Sequence, residues 1–155
     1  METLEPLLAE HAFFRGMSPE YVQTLVGCAS NARFLAGETI VREGDQADKF
    51  FLVRSGRVAI ELFITGRGPV TVQTLNEGDV VGWSWLVAPY IWRFDAKALE
   101  LTRVIALDGA CLRGKCDADP ALGYALLKIL STVFVERLQD TRLRLLDLYG
   151  KDAGA

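Results

Sequence analysis

The alternation of hydrophobic and polar positions divides the chain into three blocks. In residues 3–30 and again in residues 109–149, apolar side chains recur every three or four positions, which is the spacing of an amphipathic helix. Residues 33–108 differ, because short runs of β-branched and aromatic residues are separated there by glycines. This order predicts one domain, residues 1–155, in which a β structure is flanked by N-terminal helices and a long C-terminal helix.

The first block contains a helix start that can be assigned to particular residues. Ser18 is a favourable N-cap and Pro19 suits the first helical position, so a helix is predicted from about Pro19 to Ala29. Its buried face would consist of Val22, Leu25, Val26 and Ala29.

The middle block has the pattern of an antiparallel roll or barrel. Its predicted strands include the runs at 50–53, 57–64, 70–75 and 92–98. Turns are predicted at the glycines between such runs, namely Gly37, Gly44, Gly56, Gly66, Gly68, Gly78 and Gly82. In the third block, a helix is predicted to start near Asp119 and Pro120 and to end near Tyr149.

Composition restricts the class of protein further. Of the 155 residues, 50% are hydrophobic and 24% are charged, which is ordinary for a globular domain. No apolar run approaches the roughly 20 residues that span a bilayer, and no secretory signal is visible, so a cytoplasmic protein without membrane association is expected. The net charge of -3 gives no overall basic surface for nucleic acid.

Few residues offer catalytic or metal-binding chemistry. The chain has three cysteines, an odd number without close pairs: Cys28, Cys111 and Cys116. This pattern predicts buried or inert thiols and argues against a disulfide framework. The single histidine, His11, lies about a hundred residues from Cys111, so no metal site is predicted. Because the common catalytic motifs are missing from the sequence, we expect neither an enzyme nor a cofactor.

Two segments of the middle block carry a family resemblance. FLAGETIVREGDQADKFFLVRSGRVAI (34–60) and LNEGDVVG (75–82) resemble the cyclic-nucleotide-binding domain of catabolite activator proteins, protein kinase A regulatory subunits and gated channels. The resemblance implies a mainly β fold, a double-stranded β-helix or jelly-roll-like β-roll, across roughly residues 10–149. The matching positions are Gly37, Ile40, Gly44, Asp45, Ala47, Asp48, Val53, Gly56 and Val58.

The resemblance also implies where a ligand would bind. In that family a phosphate-binding cassette follows the second glycine–aspartate pair: a glutamate accepts from the ribose, and an arginine some ten residues later neutralises the phosphate held at a helix N-terminus. Gly82 matches the glycine of this cassette, but Trp83 stands in place of the glutamate. The candidate ligand-binding residues are therefore Gly82, Trp83, Ser84, Trp85, Trp92 and Arg93.

The position of the family's arginine has two solutions. Counting forward from Gly82 places Arg93 there. Alternation along the predicted strand instead places Trp92 there, facing inward with Phe94, while Arg93 faces outward beside Asp95. We favour the second solution because the loop length of this cassette varies.

The tryptophans, all three in or beside the cassette, are interpreted as apolar replacements for its polar anchors. The pocket is then either closed by its own indoles or open to a flatter, more apolar or differently charged ligand. For Trp85 a role in the ordinary core is the alternative. Weak or absent binding of cyclic AMP and cyclic GMP is expected.

A heptad pattern marks the C-terminal helix. It comprises Leu127, Ser131, Phe134, Leu138, Thr141, Leu145 and Leu148. This resembles the family's dimerisation helix, so a homodimer is expected, with Leu126, Ile129, Leu130 and Val133 packing on the protein's own roll. The interleaved charges of the same helix, including Arg137 and Asp140, are typical of a solvated face. Because the sequence ends at Ala155, no helix-turn-helix and no direct DNA binding are expected.

These features lead to one hypothesis and two alternatives. The hypothesis is a stand-alone regulatory module that senses a small molecule, nucleotide-like or otherwise but not ordinary cyclic AMP or cyclic GMP, and signals to a separate protein. The first alternative is a dimeric scaffold with a closed, non-binding pocket. The second is a genuine cyclic-nucleotide binder that uses Arg93.

Overall fold

The computed structural model describes residues 4–153, with side chains to Gly150, and shows a β-roll between two helical segments. The N-terminal segment contains α1 (Leu4–Glu10), a 3-10 helix (Ala12–Phe14) and α2 (Pro19–Val26). The strands are β1 (Ala29–Phe34), β2 (Thr39–Val41), β3 (Lys49–Ser55), β4 (Val58–Ile64), β5 (Gly68–Leu75), β6 (Val80–Val81), β7 (Asp95–Ala98) and β8 (Thr102–Asp108). The C-terminal segment contains α3 (Gly109–Ala118) and α4 (Pro120–Ala153).

The strands form two sheets, with the orders β1-β8-β3-β6 and β2-β7-β4-β5. Their pairings are antiparallel, which confirms the predicted roll. Strand β3 is buried on both faces, so its apolar run is continuous. Phe50 and Leu52 belong to a core shared with the helices, whereas Phe51 and Val53 belong to a second core between the sheets.

The predicted turn glycines all adopt positive φ, which side chains with a Cβ rarely tolerate. Gly56 shows a second constraint. A Cβ at Gly56 would lie 2.6 Å from the Cα of Thr102, so the backbones of the β3–β4 turn and β8 can approach only because the side chain is missing.

Two predicted boundaries were wrong, the end of α2 and the start of the strand predicted at 92–98. Helix α2 ends at Val26, and Ala29 instead begins β1, where it pairs with Leu107 of β8. This long-range pairing overrides the helical spacing at the end of the first block. Ser18 is the N-cap residue, but its side chain makes no capping hydrogen bond. The predicted strand 92–98 begins only at Asp95.

The prediction of inert thiols was wrong for two of the three cysteines. Cys28 and Cys111 form a disulfide across 83 residues of sequence, with their Cα atoms 5.7 Å apart. The antiparallel pairing of β1 with β8 brings these positions together, and sequence spacing alone does not reveal that proximity. Cys116 is a free, half-buried thiol whose pKa is raised, chiefly by burial.

His11 connects the N-terminal helices to the roll. Its Nε2 donates to the carbonyl oxygen of Val53 at 2.9 Å, and its Nδ1 accepts from the backbone N–H of Phe13 at 3.1 Å. These two bonds require the neutral ring with the proton on Nε2. Burial accordingly lowers the pKa of His11 below its ordinary value of 6.5.

Acidification should therefore destabilise the fold through His11. The pKa is lower in the folded chain than in the unfolded one, so the unfolded chain binds the proton first as the pH falls. The contribution of His11 is complete above about pH 6.5 and is lost as the pH falls towards the folded pKa. Urea unfolding of wild type and His11→Gln across this range should show a smaller loss of stability in the variant, and parallel curves would contradict the assignment.

No helix within residues 4–153 combines the length and the apolar character needed to cross a membrane.

Candidate functional site

The cassette segment, residues 82–94, connects β6 to β7. Its C-terminal end is held by the loop that contains Gly44 and Asp45. Trp92 N donates to the Asp45 carbonyl at 2.9 Å, Gly44 N donates to the Trp92 carbonyl at 2.9 Å, and Ala47 N donates to the Tyr90 carbonyl at 2.7 Å. The motif around Gly44 and Asp45 therefore positions the cassette through its backbone.

Trp92 lies inside the roll, and Arg93 lies outside it. The Trp92 side chain is 3% exposed and belongs to the core between the sheets, whereas Arg93 is exposed. This is the arrangement that alternation along the strand predicted. Asp95 does not form an ion pair with Arg93 in the described structure, because its Oδ1 accepts from the Glu43 backbone N–H at 2.8 Å.

The Trp92 ring packs directly on the backbone of Gly82. A Cβ built on Gly82 would lie 2.6 Å from Cζ3 of Trp92 and 3.0 Å from Cζ of Phe94. Gly82 itself is buried and has a φ of 67°. Two aromatic rings therefore occupy the space next to the glycine that begins the cassette.

Trp83 connects the cassette to α4. Its half-buried ring meets Phe134 edge-on, with 4.8 Å between the ring centroids, and the guanidinium of Arg137 lies 5.6 Å from its centroid. Arg137 also donates to the carbonyl oxygen of Val80, and burial lowers the pKa of this arginine. The residue in place of the family's ribose acceptor thus contacts the protein's own helix.

Trp85 is a core residue. It is fully buried beside Phe50, with 5.3 Å between the ring centroids, and its backbone carbonyl accepts from Arg113. Its indole Nε1 has no hydrogen-bond partner in the described part of the chain. Ser84 lies half-buried in the turn between Trp83 and Trp85. Of the six cassette candidates, Gly82 and Trp92 are in contact inside the roll.

The two faces of α4 separate largely as predicted. Leu126 and Leu130 are buried on the protein's own core, and Ile129 and Val133 pack partly against it. Within the heptad pattern, Leu127, Leu138, Leu145 and Leu148 are 48%, 52%, 52% and 61% exposed. Ser131 and Thr141 are also exposed, whereas Phe134 packs on Trp83.

Sequence reasoning missed the role of Arg137. We assigned this residue to a solvated face, but it is half-buried and lies one helical turn after Phe134, where both side chains meet Trp83. The spacing of three residues between Phe134 and Arg137 was the available signal. It did not show where the cassette would lie against the helix.

The described residues hold no group of three or more histidine, cysteine, aspartate or glutamate side chains placed to bind a metal ion.

An open cavity of about 580 Å³ lies on another side of Trp92. Its apolar lining includes Phe34, Phe51 and Trp92, and its charged lining includes Arg42 and Asp45.

Comparison with known proteins identifies the domain family and agrees with the β-roll fold. Residues 32–119 match the family model described as the cyclic nucleotide-binding domain. The chain is 24% identical over 149 residues to the CRP-like cAMP-activated global transcriptional regulator of Mycobacterium tuberculosis, which covers 96% of this chain. The chain spans 65% of the length of that regulator.

Solved structures show the same fold. A cyclic nucleotide-binding domain from Methylobacillus flagellatus has a TM-score of 0.83 at 19% identity and covers 95% of this chain and 86% of its own. A protein from Geobacter metallireducens, described as cyclic nucleotide-binding, has a TM-score of 0.76 at 28% identity and covers 89% of this chain and 99% of its own. With the matched residues spanning more than half of its length, this chain belongs to the cyclic nucleotide-binding domain family.

Proposed function

We propose that the chain is a regulatory module whose cassette is closed by its own side chains, so that it does not bind ordinary cyclic AMP or cyclic GMP. One observation carries this proposal: the indole of Trp92, 3% exposed, packs on the backbone of Gly82. In the family that the chain resembles, the cyclic phosphate is held by the backbone at this start of the cassette. A ligand phosphate and the Trp92 ring would compete for that space.

The absence of the family's polar anchors also lowers the expected affinity for cyclic AMP and cyclic GMP. Trp83 and Trp92 stand where the resemblance implies a glutamate and an arginine, and Arg93 is exposed on the outside of the roll. A charge-assisted hydrogen bond contributes about 1.5–3 kcal/mol, so the loss of two anchors weakens binding by roughly two to four orders of magnitude.

A module with a closed pocket acts through its surfaces. The four leucines at the heptad positions of α4 are about half exposed, which supports a homodimer formed along this helix. The matched mycobacterial relative is a transcriptional regulator, which supports a regulatory role. The regulatory effect would then pass to a separate protein partner through surfaces outside the pocket.

Calorimetric titration of the wild-type protein with cyclic AMP and cyclic GMP tests the proposal. We expect no saturable heat in the micromolar range, because the indole of Trp92 packs on Gly82 at the start of the cassette and two polar anchors are absent. Low-micromolar binding of either nucleotide would overturn the closed cassette. In that event, loss of binding in Arg93→Gln but not in Arg67→Gln would identify Arg93 as the phosphate partner.

The small-molecule sensor is favoured by one observation, the open cavity of about 580 Å³ that borders Trp92. A molecule with a flat apolar face and polar edges would contact Phe34, Phe51 and Trp92 in this cavity without displacing the Trp92 ring from Gly82. Tryptophan emission separates the two functions: a library compound that shifts the signal of Trp92 and raises the melting temperature supports the sensor.

A further inference from the structure

Three arginines line a concavity on the surface of the sheet that contains β1, β8 and β3. Arg33, Arg54 and Arg103, here called the arginine cluster, surround a volume of about 330 Å³ together with Asn31 and Ala32. Arg33 and Arg103 are exposed, and Arg54 is half-buried. No residue of the cassette borders this concavity.

The strand register places these like charges next to one another. Arg33 of β1 lies directly opposite Arg103 of β8 in the antiparallel pair. Like charges at directly opposite positions destabilise a sheet. The β3–β8 register shifts between Val53 and Ser55, which places Arg54 at the irregularity next to Arg103. Such irregularities redirect a side chain away from the regular ladder.

The repulsion is not relieved by acidic side chains. Among the side chains that the structure describes, residues 4–150, the guanidinium groups of Arg33 and Arg103 have neither an ion-pair partner nor a hydrogen bond. Arg54 donates from Nη1 to Oδ1 of Asn31 at 3.4 Å, a neutral contact that holds the guanidinium beside the concavity. The chain carries a net charge of -3, so this concentration of positive charge is a local feature.

We propose that the arginine cluster is a binding site for a small oxyanion with two or more negative charges, of the phosphate-ester or pyrophosphate class. Planar guanidinium groups donate paired hydrogen bonds that match the oxygens of a phosphate group. A bound oxyanion would also neutralise the repulsion between Arg33 and Arg103. Two effects would therefore favour binding: paired hydrogen bonds to the oxyanion and a weaker repulsion between Arg33 and Arg103.

Thermal unfolding with pyrophosphate as the probe tests this site. At about ten times the dissociation constant, pyrophosphate should raise the melting temperature of wild type by about 3–5 °C over sodium chloride of equal ionic strength. Arg33→Gln/Arg103→Gln should lose this response. Arg67→Gln, which changes an exposed arginine in the distant β4–β5 turn, should keep it.

The melting temperatures of the same variants without pyrophosphate give a second test, in which the double variant should not be less stable than wild type. Without probe and at low salt, Arg33→Gln/Arg103→Gln should melt at or above the wild-type temperature, because the repulsion has been removed. In wild type, pyrophosphate should protect Arg33 and Arg103, but not Arg67, from phenylglyoxal modification measured by mass spectrometry. Equal stabilisation by sodium chloride, a retained response in the double variant, or equal modification of all three arginines would overturn the site.

Discussion

Removal of the Cys28–Cys111 disulfide should lower the free energy of unfolding by about 2–4 kcal/mol. The bond closes a long loop, 83 residues in sequence, and opening it restores conformational freedom to the unfolded chain. It also ties the start of β1 to α3, beside the helix-side core. Cys28→Ala/Cys111→Ala, measured by urea unfolding, should show this loss without a change in the folded far-UV spectrum.

The reducing agent supplies the matching control. Wild type in reductant should unfold at the same urea concentration as the double alanine variant, whose own midpoint should not respond to reductant. Cys116→Ala should keep the response to reductant, because Cys116 is the free thiol. If alkylation and mass spectrometry of the folded wild-type protein detect three free thiols, the disulfide and its stabilisation are excluded.

The placement of Trp92 could be predicted because alternation is a local property. Ala96 and Ala98 are buried in β7 while Lys97 is exposed, and the same alternation extends back to Trp92 and Arg93 although these two residues precede the strand. Burial of the apolar set against the opposite sheet determines which side faces inward. The glycines were similarly predictable, because a turn with positive φ leaves a direct mark on the sequence.

The disulfide and the position of Phe134 could not be predicted in the same way. Cys28 and Cys111 meet because β1 and β8 pair, and the strand order is a tertiary property. Phe134 satisfies the heptad spacing, but the structure uses it to pack on Trp83. Spacing along one helix does not show which neighbour covers an apolar side chain when two neighbours compete for it.

Disruption of the α4 interface should convert the proposed homodimer into a folded monomer. The variant is Leu138→Asp/Leu145→Asp, since both side chains are 52% exposed and leave the protein's own core intact. We avoid Phe134 because its substitution would also remove the Trp83 contact. In a dimer, each new carboxylate would be buried against an apolar partner, and this cost is large for an unpaired charge.

The helix offers a matched control on another face. Leu143 and Leu146 are 55% and 66% exposed and lie outside the heptad positions, so Leu143→Asp/Leu146→Asp adds the same charge in the same region. Sedimentation equilibrium should give a monomer for Leu138→Asp/Leu145→Asp and a dimer for both the control and wild type, with native far-UV spectra throughout. A wild-type monomer would exclude the homodimer, and a dimer in both variants would place its interface away from the heptad positions of α4.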